Sequence, residues 1–111
     1  MTKKYFNDLQ TLYEKLELDQ KTRDEIELKY FVSGAALYFE STILVSLSPM
    51  GLAFKLPDEQ VVKLMIEGDA VPLKYFPKGN TKNKYAMFPL PDLEDVKRWE
   101  PYFKTAFRKH D

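Results

Sequence analysis

The chain has 111 residues, with 17 basic and 17 acidic side chains and no cysteine, so its formal net charge is zero. That balance weighs against a dedicated nucleic-acid binder, which draws much of its affinity from a positive surplus. Without cysteine, disulfides, thiolate nucleophiles and cysteine-bound zinc are excluded within the chain.

Residues 4–17 predict an amphipathic helix. Phe6, Leu9, Tyr13 and Leu16 return every three or four positions, and Leu12 widens the stripe. The polar run DQKTRDE then ends that pattern. In EIELKYFV, Ile26, Leu28, Tyr30 and Val32 alternate with Glu27, Lys29 and Phe31, the period of a strand with one face on a core. Phe31 interrupts the polar face, which points to a cover at that end. Gly34 and two alanines open a second strand over 34–40, where small residues admit a close neighbour. Ile43 to Leu47 form a third, and LAFKL a fourth with Leu52, Phe54 and Leu56 on one side and Lys55 on the other. Connections this short make the strands an antiparallel meander.

PDEQVVKLMIEGD predicts a helix. Pro57 suits its first turn, and Asp58 and Glu59 suit the positive end of its dipole. Val61, Val62, Met65 and Ile66 are its expected buried side, and Gly68 its stop. After DAVPLKYF, the stretch PKGNTKN reads as an exposed connection into a last strand, KYAMFPL. Tyr75 and Phe76 belong to the sheet in this reading. The closing helix is expected from Asp92 as cap, with Asp95 three positions on. Val96, Trp99, Phe103 and Phe107 form its aromatic stripe, to be packed on the sheet or, as second choice, exposed for dimerisation. Pro101 should kink this helix or start a second one.

Between YFVSGAALYFESTILVSL and GLAFKLPDEQ the chain resembles the N-terminal domain of the TfoX (Sxy) family of competence regulators. Phe31 matches the phenylalanine of that family's Met-Phe-Gly-Gly segment, Leu37-Tyr38 its hairpin pair, and Lys55 the lysine on the strand before the helix. Gly68 and PLKYFPK match the region after the helix. Val32 and Ser33 replace the segment's glycines, Tyr30 its methionine, and Glu40-Ser41 a common Asn-Gly or Asp-Gly turn. The likeness spans roughly residues 4–109. It implies an α+β domain with a regulatory or protein-interaction role, and it carries no catalytic residue across.

Reactive groups are sparse. His110 is the sole histidine and stands at the C-terminal end. No histidine base stands near Ser33, Ser41, Ser46 or Ser48, and the acids of DLED and RDEIE read as caps and surface charges. No catalytic residue, metal site or cofactor is therefore assigned. The lysine-rich loop lacks the glycine spacing of a phosphate cradle and leads into a strand. Lys74, Lys78, Lys82 and Lys84, with Lys97, Arg98, Arg108 and Lys109, remain the candidate anion-binding set.

The expectation is one α+β domain over residues 1–111. Its antiparallel sheet, of about five or six strands, is covered on one face by N-terminal, middle and C-terminal helices. The expected function is a non-enzymatic regulatory or protein-interaction module, cytoplasmic, with a protein partner or a second copy of itself. MTKKYFNDLQ has no apolar run behind its basic start, and no segment approaches the roughly 20 apolar residues that span a membrane. Two alternatives stand beside it. One is a nucleic-acid-associated module using the basic set on one shared face. The other is a small-molecule binder or enzyme with a tyrosine-lined pocket between sheet and helix.

Overall fold

The structure, a computed structural model, describes residues 4–31, 34–74, 81–89 and 91–108, with the backbone alone at 31, 72–74 and 81–84. Its elements run α1 (Lys4–Glu14), α2 (Gln20–Glu25), β1 (Ile26–Phe31), β2 (Gly34–Phe39), β3 (Thr42–Ser48), β4 (Gly51–Lys55), α3 (Asp58–Ile66), β5 (Val71–Lys74), β6 (Thr81–Phe88) and α4 (Val96–Arg108). The strands make one sheet in the order β1-β2-β3-β4-β6-β5, and each neighbouring pair is antiparallel. The expected α+β architecture is therefore present, with six strands.

The meander follows from short turns between apolar strands. Ala35 and Leu37 of β2, Val45 and Leu47 of β3, and Leu52 and Phe54 of β4 are buried on one face. Leu9, Leu12 and Leu16 come down on that face from the N-terminal helix and its last turn. Val61 and Leu64 come from α3, and Trp99, Phe103, Ala106 and Phe107 from α4. At the centre Phe54 meets Phe103 edge-on at 5.0 Å and stacks near Trp99 at 6.1 Å. Trp99 in turn donates from Nε1 to the Asp92 carbonyl at 2.8 Å, so its polar edge is satisfied inside the core.

The opposite face carries a smaller apolar cluster of Ala53 and Met87, with Tyr85 packed against it. The Tyr85 hydroxyl donates to the Ile43 carbonyl at 2.7 Å and ties β6 to β3 across the intervening strand β4. Among the described residues Glu40, Gly51 and Gly68 have positive φ. Gly51 has φ +145°, and a Cβ there would overlap the Phe88 carbonyl oxygen. Glu40, in the two-residue turn between β2 and β3, has φ 55° without being glycine.

Several expectations are corrected. The polar run after α1 is not a plain end: Asp19 accepts from the Thr22 N–H at 3.1 Å and starts the short helix α2. Asp92 does not cap α4. Its carboxylate accepts from the Glu94 N–H at 3.1 Å, a local Asx turn, and α4 begins at Val96. Pro101 lies inside one continuous helix rather than ending it. On α3 the buried side is Val61 and Leu64; Val62 and Ile66 are exposed, at 52% and 80%. The 3.6-residue period alone does not choose between neighbouring apolar stripes when both are offered. The aromatic stripe of α4 is spent on the core, so it is not a dimer surface. Strand β6 begins at Thr81, which takes Thr81–Asn83 out of the predicted connection. Tyr75, Phe76, and the predicted cover over Phe31 lie outside the described residues and side chains.

Candidate functional site

An open sheet has two edges, and here they are built differently. Strand β5 forms one. It has four residues, contains Pro72, and its register with β6 shifts between Pro72 and Leu73. Proline offers no N–H to a further strand, and an irregular ladder presents a poor template. Strand β1 forms the other. Its six residues pair with β2 in unbroken register from Ile26↔Phe39 to Phe31↔Gly34. It contains neither proline nor glycine. Among the described residues no strand lies on its outer side.

Every second residue of such a strand turns its N–H and C=O away from the sheet. The side chains of β1 divide by face. Ile26 is buried, Leu28 is half-buried and Tyr30 is 38% exposed, all on the helix-covered side. Burial thus declines along the strand. Tyr30 keeps an edge-on contact with Phe6 of α1 at 6.3 Å. On the other side Glu27 and Lys29 are exposed. Their cross-strand neighbours on β2 are Tyr38 and Ala36, neither of them charged. Lys29 Nζ lies 3.8 Å from the Glu27 carboxylate and 5.1 Å from the Tyr38 ring centre. An exposed pair of that kind is weak and easily exchanged for another partner.

Helix α2 leads directly into this strand and is held by two fixtures. Hydrogen bonds from Thr22 hold the Asp19 carboxyl below its ordinary range. Arg23 donates to the Leu16 carbonyl at 2.7 Å, and its guanidinium lies 5.1 Å from the Tyr13 ring centre. Burial pushes the Tyr13 hydroxyl up, against the opposing charge of Arg23.

The basic candidates are distributed as follows. Lys97 and Arg98 are exposed in the first turn of α4, and Arg108 is exposed in its last. Eleven residues of helix put Lys97 and Arg108 about 16 Å apart along the axis and close to one line. Lys104, absent from the predicted set, lies on the same line and is also exposed. It lies 3.9 Å from Glu100, while Arg98 is folded over the Trp99 ring at 4.4 Å. Lys74, Lys82 and Lys84 are on the backbone of β5 and β6, and where their side chains lie is not described; Lys78 and Lys109 lie outside the described residues. Acids accompany this helix as well: Glu94, Asp95 and Glu100 are near its start.

The surface depressions formed by described residues include three between or beside helices. One of about 320 Å³ lies between Glu17, Asp19 and Thr22 and the end of α4 at Lys104 and Arg108. Another of about 430 Å³ lies between α3 and Tyr102, and a third of about 250 Å³ between α1 and Leu93. Each is bounded by at least one helix and has mixed charges around it, and Tyr102 is the one tyrosine that lines any of the three. No group of three potential metal ligands occurs among the described residues. No described helix is long and apolar enough to cross a membrane.

No known protein family, curated protein or solved structure matches the chain.

Proposed function

We propose that the chain is a non-enzymatic protein-interaction module, regulatory in role, that engages its partner by strand addition at β1. The carrying observation is the contrast between the two edges. One is short, irregular and interrupted by Pro72, while the other is regular, proline-free and unoccupied by any described strand. Main-chain pairing at such an edge gives affinity, and alternating side chains give selectivity. The resemblance to the TfoX N-terminal domain, carried by the sequence motifs alone, implies a role of the same kind, and the proposed setting is the cytoplasm. Glu100 stands among the cations of α4, and Glu94 and Asp95 lie just before its start, which favours a protein partner over a nucleic acid.

Amide hydrogen exchange tests it. The isotope-labelled chain is measured in a concentration series and then against a mixed library of short extended peptides. The expected result is added protection in Ile26–Phe31 when a partner is present. Binding that protects other segments and leaves these amides unchanged refutes strand addition.

A further inference from the structure

The partner that best fits the β1 edge is a second copy of the same chain. We infer that two copies pair β1 against β1 antiparallel, about a two-fold axis at Leu28, to make one continuous twelve-stranded sheet. This rests on the reading of β1 as the docking edge and adds the identity and register of what docks.

The register follows from which residues share a face. Residues directly opposite one another in an antiparallel pair lie on the same face. To keep both helix-covered faces on one side, even-numbered residues of β1 must meet even, and odd must meet odd. A symmetric pair in the body of the strand can then centre on Glu27, Leu28 or Lys29. Centring on Glu27 sets two carboxylates against each other and runs Lys29 against the end of α2. Centring on Lys29 sets two ammonium groups against each other. Like charges directly opposite are destabilising. Centring on Leu28 instead sets Glu27 opposite Lys29 of the other copy, twice by symmetry.

The apolar face agrees with the same choice. Leu28 meets Leu28, and Tyr30 meets the buried Ile26, so the two side chains left partly open along β1, Leu28 and Tyr30, each gain an apolar neighbour. The charged face loses little. The Glu27–Lys29 pair within one strand, at 3.8 Å, is exchanged for two pairs between strands. A one-residue slip would turn the apolar row to the wrong face, so this register is specified from both sides of the sheet. Pro72 and the irregularity of β5 discourage the same growth at the far edge, and the assembly stops at two copies.

Sedimentation velocity at rising concentration tests the inference on the intact chain. The unsubstituted protein is expected to pass from monomer to dimer. Glu27→Lys and Lys29→Glu should each weaken the dimer about tenfold, since each turns two attractions into repulsions. The double variant, E27K with K29E, should regain the original affinity. Emission from the buried Trp99 verifies that every variant is folded. Self-pairing is overturned by a chain that stays monomeric throughout, by single variants that dimerise unchanged, or by a double variant that fails to recover. A monomer whose β1 amides are protected by a foreign peptide keeps the interaction reading and overturns self-pairing.

Discussion

Truncating Phe54 to alanine should remove a large part of the stability of this fold. The ring is fully buried on β4 and touches four others: Phe88 at 6.0 Å, Trp99 at 6.1 Å, Tyr102 at 5.5 Å and Phe103 at 5.0 Å between centroids. Phe→Ala in a packed interior costs about 3–5 kcal/mol, from lost transfer energy and the cavity left behind. The site joins sheet to α4, so collapse would require α4 to shift as a body. A value of about 4 kcal/mol is therefore expected. Unfolding entropy near 2.1 cal/mol/K per residue gives roughly 0.23 kcal/mol/K for this length, so Tm should fall by about 17 °C. The chain's one tryptophan, Trp99, stacks on the deleted ring and reports the transition by fluorescence. Urea titration of both proteins gives the free energies. A loss under about 1.5 kcal/mol would mean that the ring is not enclosed as described, and the sheet–α4 packing would have to be redrawn.

Four further outcomes follow from separate features. Glu40→Gly should stabilise the chain by up to about 1 kcal/mol, because Glu40 holds φ 55° in a two-residue turn; urea midpoints measure it. Gly51→Ala should destabilise it by more than 1 kcal/mol, or prevent folding, because φ +145° and the Phe88 carbonyl both oppose a Cβ; the same titration decides. Tyr85→Phe should cost about 1 kcal/mol through loss of the 2.7 Å bond to Ile43, with no change in Trp99 emission. The Asp19 carboxyl is depressed in the folded state, so its support of α2 is full above the ordinary carboxylate pKa and is lost as pH falls through the folded value. An NMR titration should place that midpoint below the ordinary one, and α2 amides should lose protection through it.

The meander was legible because period-two alternation in EIELKYFV and LAFKL agreed with short turn signals between consecutive strands. Phe54 and Leu52 could be set on the core from LAFKL alone. Helix ends were harder. Asp92 and Asp95 have the spacing of a cap, yet Asp92 satisfies Glu94 two residues on, a competing local bond that the spacing does not exclude. Pro101 reads as a kink or as the start of a second helix; the second does not occur, because a helix whose Trp99, Phe103 and Phe107 are all buried tolerates one missing hydrogen bond. On α3, Val62 and Ile66 compete with Val61 and Leu64 for the same sheet. Only the direction from which the helix crosses β5 and β6 decides between them.

The two sheet edges differ in how far they could be read locally. Pro72 in VPLK suits a strand at an edge or at a bulge, because a regular central strand needs that N–H. An open sheet has one more edge, and the meander offers β1 or β4. In sequence Lys55 lies on the polar face of β4, as Glu27 and Lys29 do on β1. The choice is made by β6, which inserts beside β4 with Leu52 opposite Phe88 and Phe54 opposite Ala86. Insertion there buries Phe54 and Phe88 together against Trp99, a gain that β1, with Glu27 and Lys29 on one face and a half-open Leu28 and Tyr30 on the other, does not offer. Core packing thus closes β4, proline closes β5, and β1 is left as the strand on which another chain can build.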